Sequence, residues 1–404
     1  MTNSLLTPQQ ITREALRVLH NKLTFIGAIN RQYDDSFAKS GAKIGDTLKI
    51  RLPNQFAVRT GPTLAAQAVN EQSVSLQVGT QKGVDMNFSS VDLTMNLDEF
   101  SSRILEPAMA VLASSLEADA VTMYKDVYQQ VGTPGTTPNT LLTYLQARAR
   151  LNNSLTPMDA NRTAHLSPLA TATIVDALKG LFQDSSSIRE QYREGSMGRT
   201  AGFDWYENPL VPSHTNGSKV AGVLVNGAGQ TGATLNIKGV ANTDTFVRGT
   251  VFTIAGVFEV HPETKAVTSR LQQFVVTADA TMSGTTGAIA ISPAITPDAA
   301  SPPPHNPLQN VGGSPADSAA LTIVGSAATG YEQELAFHRD AFAFATADLV
   351  MPRGVDFAAR EVFDGVSMRI VRAYDINNDA FPCRIDVLYG YKTIRPQMAC
   401  RVTA

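Results

Sequence analysis

Along this chain the spacing of apolar residues changes period several times, and each change predicts a new element. In residues 8–38, Ile11, Ala15, Val18, Leu19 and Leu23 recur at helical spacing, with Thr7 as the cap and Pro8 at the first helical position. A terminal amphipathic helix must bury its apolar face, either on its own domain or on a neighbouring molecule. From 43 to 90 the period drops to two. Leu48, Ile50 and Leu52 alternate with Thr47, Lys49 and Arg51; Val74, Leu76 and Val78 alternate again, and Val84, Met86 and Phe88 continue. This pattern predicts two strands joined by a long polar tip containing Gly61-Pro62. A two-stranded ribbon is marginal in water by itself, so it needs a partner surface.

The helical period returns at Asn96. Asn96 and Glu99 make a capping-box-like start, and Asp98 suits the positive end of the helix dipole. Phe100, Ile104, Ala108, Val111, Leu112 and Leu116 form an apolar face that continues through Val121, Tyr124, Val127 and Tyr128 to a stop at Gly132 and Pro134. That predicts a helix of about nine or ten turns. Pro107 predicts a kink over Arg103–Pro107, or a division into two shorter helices there. Residues 138–218 read as mixed helix and strand, with helices over 139–151, 167–183 and 186–193.

From 219 to 326 the text changes to short strand candidates between glycines: 220–225, 234–238, 250–258, 273–278, 288–292 and 320–324. Such spacing predicts a small barrel or sandwich. Residues 293–317, with Pro302-Pro303-Pro304, predict an irregular crossing or a mobile loop. Mixed character resumes over 331–404. Ser367–Tyr374 reads as a strand, and so does a closing segment with Ile385, Val387 and Tyr389, broken by Tyr389-Gly390-Tyr391 and followed by Arg395-Pro396. The β-rich block therefore interrupts one domain, which is tolerated when the ends of an insertion lie close together.

The 404 residues imply two or three domains. Charged residues are 17% of the chain and the formal net charge is −3, without a basic stripe of the kind that marks nucleic-acid binders. The two cysteines, Cys383 and Cys400, make neither a disulfide framework nor a zinc motif. The opening Met-Thr-Asn-Ser-Leu-Leu-Thr-Pro lacks the features of a signal peptide, and no apolar run reaches membrane-spanning length.

Candidate chemistry is sparse. Gly227-Ala228-Gly229-Gln230-Thr231-Gly232 matches the dinucleotide fingerprint, but strand-like Ala233–Lys238 follows where a helix is required, so a hairpin turn is the reading. His20, His165, His214, His261, His305 and His338 show no metal-ligand spacing. Asp375–Asp379 lacks the glycine and closing glutamate of a calcium loop. Trp205, with Phe203 and Tyr206, reads as core packing. No catalytic, cofactor or metal residue is assigned.

Three stretches carry a resemblance: Ala201-Gly202-Phe203-Asp204; Arg248-Gly249-Thr250 with Ile254-Ala255-Gly256-Val257; and Cys383-Arg384-Ile385 through Tyr389-Gly390 to Arg395-Pro396. In these, and in the order of its elements, the chain resembles tailed-bacteriophage major capsid (coat) proteins. The coat proteins of short-tailed Salmonella phages, which carry an inserted domain, are the narrower likeness. The resemblance implies an α+β fold of the tailed-phage and herpesvirus type. Its parts would be an N-terminal arm (1–42), an extended β-hairpin loop (43–95), a peripheral domain with a long spine helix (96–137), an axial domain (138–218 and 327–404) and an inserted small β-barrel (219–326).

It also implies hexamers and pentamers of the chain itself in an icosahedral shell around double-stranded DNA. The partners would be a scaffolding protein, a portal and optional decoration proteins, with assembly in the host cytoplasm and residence in the virion. Relatives carry a long charged loop in the insert that contacts a neighbour across a two-fold axis. Here only Asn226–Gly232 occupies that place, with Glu259–Arg270 as a substitute. The rival readings are a hydrolase-like enzyme with an inserted β domain and another phage structural protein.

Overall fold

The structure, a computed structural model of the chain, describes residues 8–31, 47–56, 58, 62, 64, 71–88, 104–178, 198–298, 306–352, 354–355, 357–363, 365–376 and 381–404. The chain divides into two compact units. The first comprises Met1–Ile50, Ser73–Val121 and Phe342–Ile394; the second comprises Arg51–Gln72, Thr122–Ala341 and Arg395–Ala404. This grouping differs from the expected segments, because 342–394 belongs with the N-terminal helix and not with the rest of 327–404.

The first unit is built on an antiparallel sheet in the order Phe342–Ala347, Phe381–Thr393, Val366–Arg372, Phe357–Phe363, with Thr80–Phe88 also paired along Phe381–Thr393. Met368, Ile370, Ile385 and Val387 are buried in this unit. The Pro8–Lys22 helix packs on the Glu106–Val121 helix and on the strands Phe357–Phe363 and Val366–Arg372. Ile11, Ala15, Leu16, Val18, Leu19 and Leu23 are all buried by this packing. Of the two placements left open by its pattern, the helix takes its own body.

The Glu106–Val121 helix gives way to a 3-10 turn over Thr122–Asp126. The helical pattern expected to run on to Gly132 therefore stops short. Tyr124 and Val127 are still buried, but Gln130–Gly132 is captured as a strand beside Ala399–Thr403, and a ladder bond replaces the next helical turn. Pro107 is the second residue of the regular helix, immediately after a wide π-type turn at Ile104–Leu105. Wide turns of this kind are one recognised way for a helix to deviate near a proline. The expected capping residues Asn96, Asp98 and Glu99, the whole of 89–103, and the 186–193 helix lie outside the described residues.

In the second unit a seven-stranded mixed sheet contains Gln130–Gly132, Ala399–Thr403, Gly330–His338, Arg162–Leu166, Phe203–Glu207 and Arg199–Thr200 in that order, with Ser213–Thr215 paired to Gly330–His338. The helices Leu141–Asn153 and Pro168–Leu178 supply Tyr144, Ala147, Leu151 and Ile174 to its core beside Phe203, Ala336 and Val402. Trp205 stacks edge-on against Tyr144 at 4.8 Å and donates to the Thr200 carbonyl oxygen, the packing role its neighbours predict.

The β-rich block follows from antiparallel Ser213–Thr215 and returns into Gly330–His338, so its two ends are adjacent: Asn216 N–H donates to Thr329 O and Ala328 N–H to Gly217 O. Its sheet runs Leu321–Ile323, Val251–Val260, Val267–Val276, Thr286–Ile295, Gly232–Lys238, Leu224–Val225. The two end strands are bonded to each other through Val225 N–H to Ala319 O and Leu321 N–H to Val223 O, so the sheet closes on itself. Closure leaves no open edge, and the inward residues Leu235, Ile237, Phe252, Ile254, Phe274, Ile289 and Ile291 fill the interior.

Candidate assembly interface

The ribbon has the properties of a surface that needs a partner. Thr47–Arg51 pairs with Ser73–Gln77, and Leu52 N–H donates to Gln72 O at 2.8 Å where the strands diverge. No residue of Thr47–Arg51 is buried on either face. Beyond it Phe56, Val58 and Leu64 are 60%, 83% and 82% exposed. At the other end Leu76 and Val78 are buried. The third alternating stretch, Thr80–Phe88, is not part of the ribbon; it pairs with Phe381–Thr393.

Polar ties cross-link the elements of the first unit. Lys82 Nζ sits 2.7 Å from Asp119 Oδ2 and donates to Ser115 Oγ, and Tyr389 Oη donates to the same Asp119 carboxylate. Asp386 is fully buried between Arg369 and Arg384, which donate to its two oxygens at 2.6 and 2.8 Å. Gly83, opposite Asp386 in the ladder, leaves the room: a Cβ there would lie 2.5 Å from Asp386 Oδ1. Tyr389-Gly390-Tyr391 does not break the closing strand, contrary to its appearance in the sequence. The strand runs through to Thr393, and Gly390 lets the backbone at Gln77 approach.

In the second unit Arg401 is the central tie. Its guanidinium is buried, donates to Val127 O at 2.8 Å and to Gly249 O at 2.7 Å, and lies over the Tyr124 ring. Burial pulls its pKa down to about 10, still well above neutrality. Arg248 pairs with Asp126 at 2.7 Å, and Gln273 exchanges two hydrogen bonds with the backbone of Gln130. Glu259 is engaged by both Arg150 and Arg270. The charges of the Glu259–Arg270 loop are thus largely spent inside the chain: Lys265 donates to Gln309 O, and His261 Nδ1 accepts from the amides of Glu263 and Thr264. That weakens this loop as a substitute two-fold contact.

The glycine-rich Gly227–Gly232 stretch is a turn with positive φ at Gly227, Gly229 and Gly232, and it leads into the strand Gly232–Lys238. The helix a pyrophosphate would require is not there. Burial drives the His165 pKa down to about 3 and that of His214 to about 4, so both rings are neutral. It raises both cysteine thiols to about 12, which keeps them protonated and unreactive. Among the described residues no group of three or more His, Cys, Asp or Glu is placed to hold a metal ion. Asn377–Ala380 lies outside them. No helix among them is long and apolar enough to cross a membrane.

The ribbon displays Phe56, Val58 and Leu64 to solvent. The chain belongs to the P22 coat protein family: the family described as P22 coat protein, gene protein 5, matches residues 2–402. It is a major capsid protein that forms the head shell of a virion, a structural and not an enzymatic role. No curated protein matches the chain. Among solved structures it is similar to a Mycobacterium phage Che8 chain at 12% identity and TM-score 0.45, covering 94% of this chain and 90% of that one. A chain from the capsid of cyanophage P-SCSP1u is similar at 12% identity and TM-score 0.40, covering 94% and 91%. The CUS-3 coat protein I-domain is 32% identical at TM-score 0.20, covering 26% of this chain and 96% of that domain.

Proposed function

We propose that copies of this chain close an icosahedral head of hexamers and pentamers around double-stranded DNA, and that the 47–77 ribbon is the principal overlap between neighbours. The observation that carries the reading is the ribbon itself. No residue of its Thr47–Arg51 strand is buried and Phe56, Val58 and Leu64 are exposed beyond it, an arrangement that gains free energy when a second surface covers it. Repeated head-to-tail contacts of this kind generate closed rings, and many weak contacts acting together hold a shell.

The 219–326 block acts as an inserted domain in this scheme. Its adjacent ends and closed sheet support that role, and Arg401, Arg248, Glu259 and Gln273 couple it to the mixed sheet of its own unit. A scaffolding protein directs assembly in the host cytoplasm, a portal occupies one vertex, and decoration proteins are an optional addition. DNA is enclosed without sequence-specific contacts, in keeping with the net charge of −3.

Size-exclusion chromatography with negative-stain microscopy, with and without a co-expressed scaffolding protein, tests the reading. Closed shells support it. A discrete small oligomer under both conditions would overturn it.

A further inference from the structure

Glu117, on the inward side of the Glu106–Val121 helix, is 2% exposed, yet among the described residues no basic side chain is paired with it. Its two oxygens instead accept backbone amides from a segment about ninety residues earlier: Phe25 N–H at 2.9 Å and Ile26 N–H at 3.0 Å. That segment is threaded as a strap. Phe25, Ile26 and Ile29 are buried, and the Phe25 ring lies 5.6 Å from that of Phe342. Asn30 then bonds to the strand Phe342–Ala347 through Asn30 N–H to Phe342 O and Phe344 N–H to Asn30 O. The strap connects directly to the Pro8–Lys22 helix, so its docking adds to the packing that keeps the N-terminal part of the chain on its own body.

We propose that Glu117 and residues 24–31 form a proton-sensitive latch for the N-terminal part of the chain. A buried carboxylate that lacks a counter-charge is held in its ionised form only by amide dipoles, and those compete with a large loss of hydration. Here burial outweighs the amides of Ile26, Phe25 and Thr24, and the pKa rises from 4.5 to about 7. Among the described residues the charged groups on neighbouring elements make other contacts. Glu14 pairs with Arg17, Arg13 with Glu361, and Lys82 with Asp119, while the His20 ring packs on Phe363 and Arg31 donates to Gly27 O. The carboxyl is raised when docked and ordinary when released. Docking is therefore favoured at acid pH, and the advantage is lost as pH rises through about 7.

The test is amide hydrogen exchange at Phe25 and Ile26 in the full-length soluble subunit, corrected for the intrinsic rate. The reference is the Ala373 amide, which donates to Pro382 O in the sheet of the same unit, away from both the strap and Glu334. Between about pH 6 and about pH 8, protection of the two strap amides falls about tenfold relative to the reference. In Glu117→Gln the pH dependence disappears. Equal protection at the two pH values in the wild-type chain overturns the latch, even if the variant does not fold, and so does the same slope in Glu117→Gln. The measurement needs no shell, so a failure here is separate from a failure of the assembly reading.

Discussion

Gly390 lies so close to the Gln77 carbonyl that a Cβ built on it would stand 2.1 Å from that oxygen. The second strand of the ribbon ends at Gln77, and Gly390 belongs to the long closing strand, so this contact roots the ribbon in the sheet. Gly390→Ala must push the two backbones apart. The expected cost is about 1–3 kcal/mol, the range for overpacking a filled interior. Urea denaturation of the soluble subunit measures it; a variant as stable as the wild type would show that the contact yields freely.

Arg401 satisfies two buried carbonyls at once, those of Val127 and Gly249. Arg401→Met keeps much of the apolar stem and removes both donors. Each stranded carbonyl costs about 1–3 kcal/mol, so the subunit should lose roughly 2–6 kcal/mol in a denaturant midpoint series. Loosening should centre on 249–250 and the 127–132 segment, which limited proteolysis or hydrogen exchange locates.

Removing the ribbon tip, residues 56–72, or replacing Phe56, Val58 and Leu64 together by Ser, should leave the subunit folded and soluble. Phe56, Val58 and Leu64 are exposed and contribute little to the isolated fold. Assembly monitored by microscopy and sedimentation should then fail to give stable shells. Normal particles from either variant would take the ribbon out of the assembly mechanism.

Glu334 gives a pH prediction for the second unit. It is buried, accepts from Tyr144 Oη at 2.7 Å and from Ser167, and burial lifts its pKa from 4.5 to about 7. A raised carboxyl stabilises the fold below its unfolded pKa, and that contribution is lost as pH rises through the folded value. Stability should fall by about 1 kcal/mol between about pH 6 and about pH 8 on this account, and Glu334→Gln should remove this component of the slope. Chemical denaturation at the two pH values reads it directly. The Glu117 component acts in the same direction, so the comparison is made between the variant and the wild type.

The apolar periodicities located elements well where burial is decided locally. The Leu141–Asn153 helix lies near its predicted span of 139–151. Five of the six strands predicted in 219–326 overlap observed strands closely, while 220–225 shrinks to Leu224–Val225. The helix through Tyr124 and Tyr128 failed because its pattern is equally that of a buried irregular segment. A ladder with Ala399–Thr403, more than two hundred residues away, took the backbone bonds the helix would have made. Gly390 read as a break for a related reason. A glycine that ends a strand and one that admits a neighbouring backbone look alike until the neighbour is known.

The sequence alone determined the kind of protein this is: where most of its helices and strands lie, and a resemblance carried by short stretches in a fixed order. Those properties are local, and local spacing encodes them. Only the tertiary structure decided where the N-terminal helix lies, that Glu117 meets the amides of Phe25 and Ile26, and that Arg401 spans from Val127 to Gly249. Such pairings join residues far apart along the chain. Their strength comes from burial, a property of the folded surroundings that no stretch of sequence carries by itself.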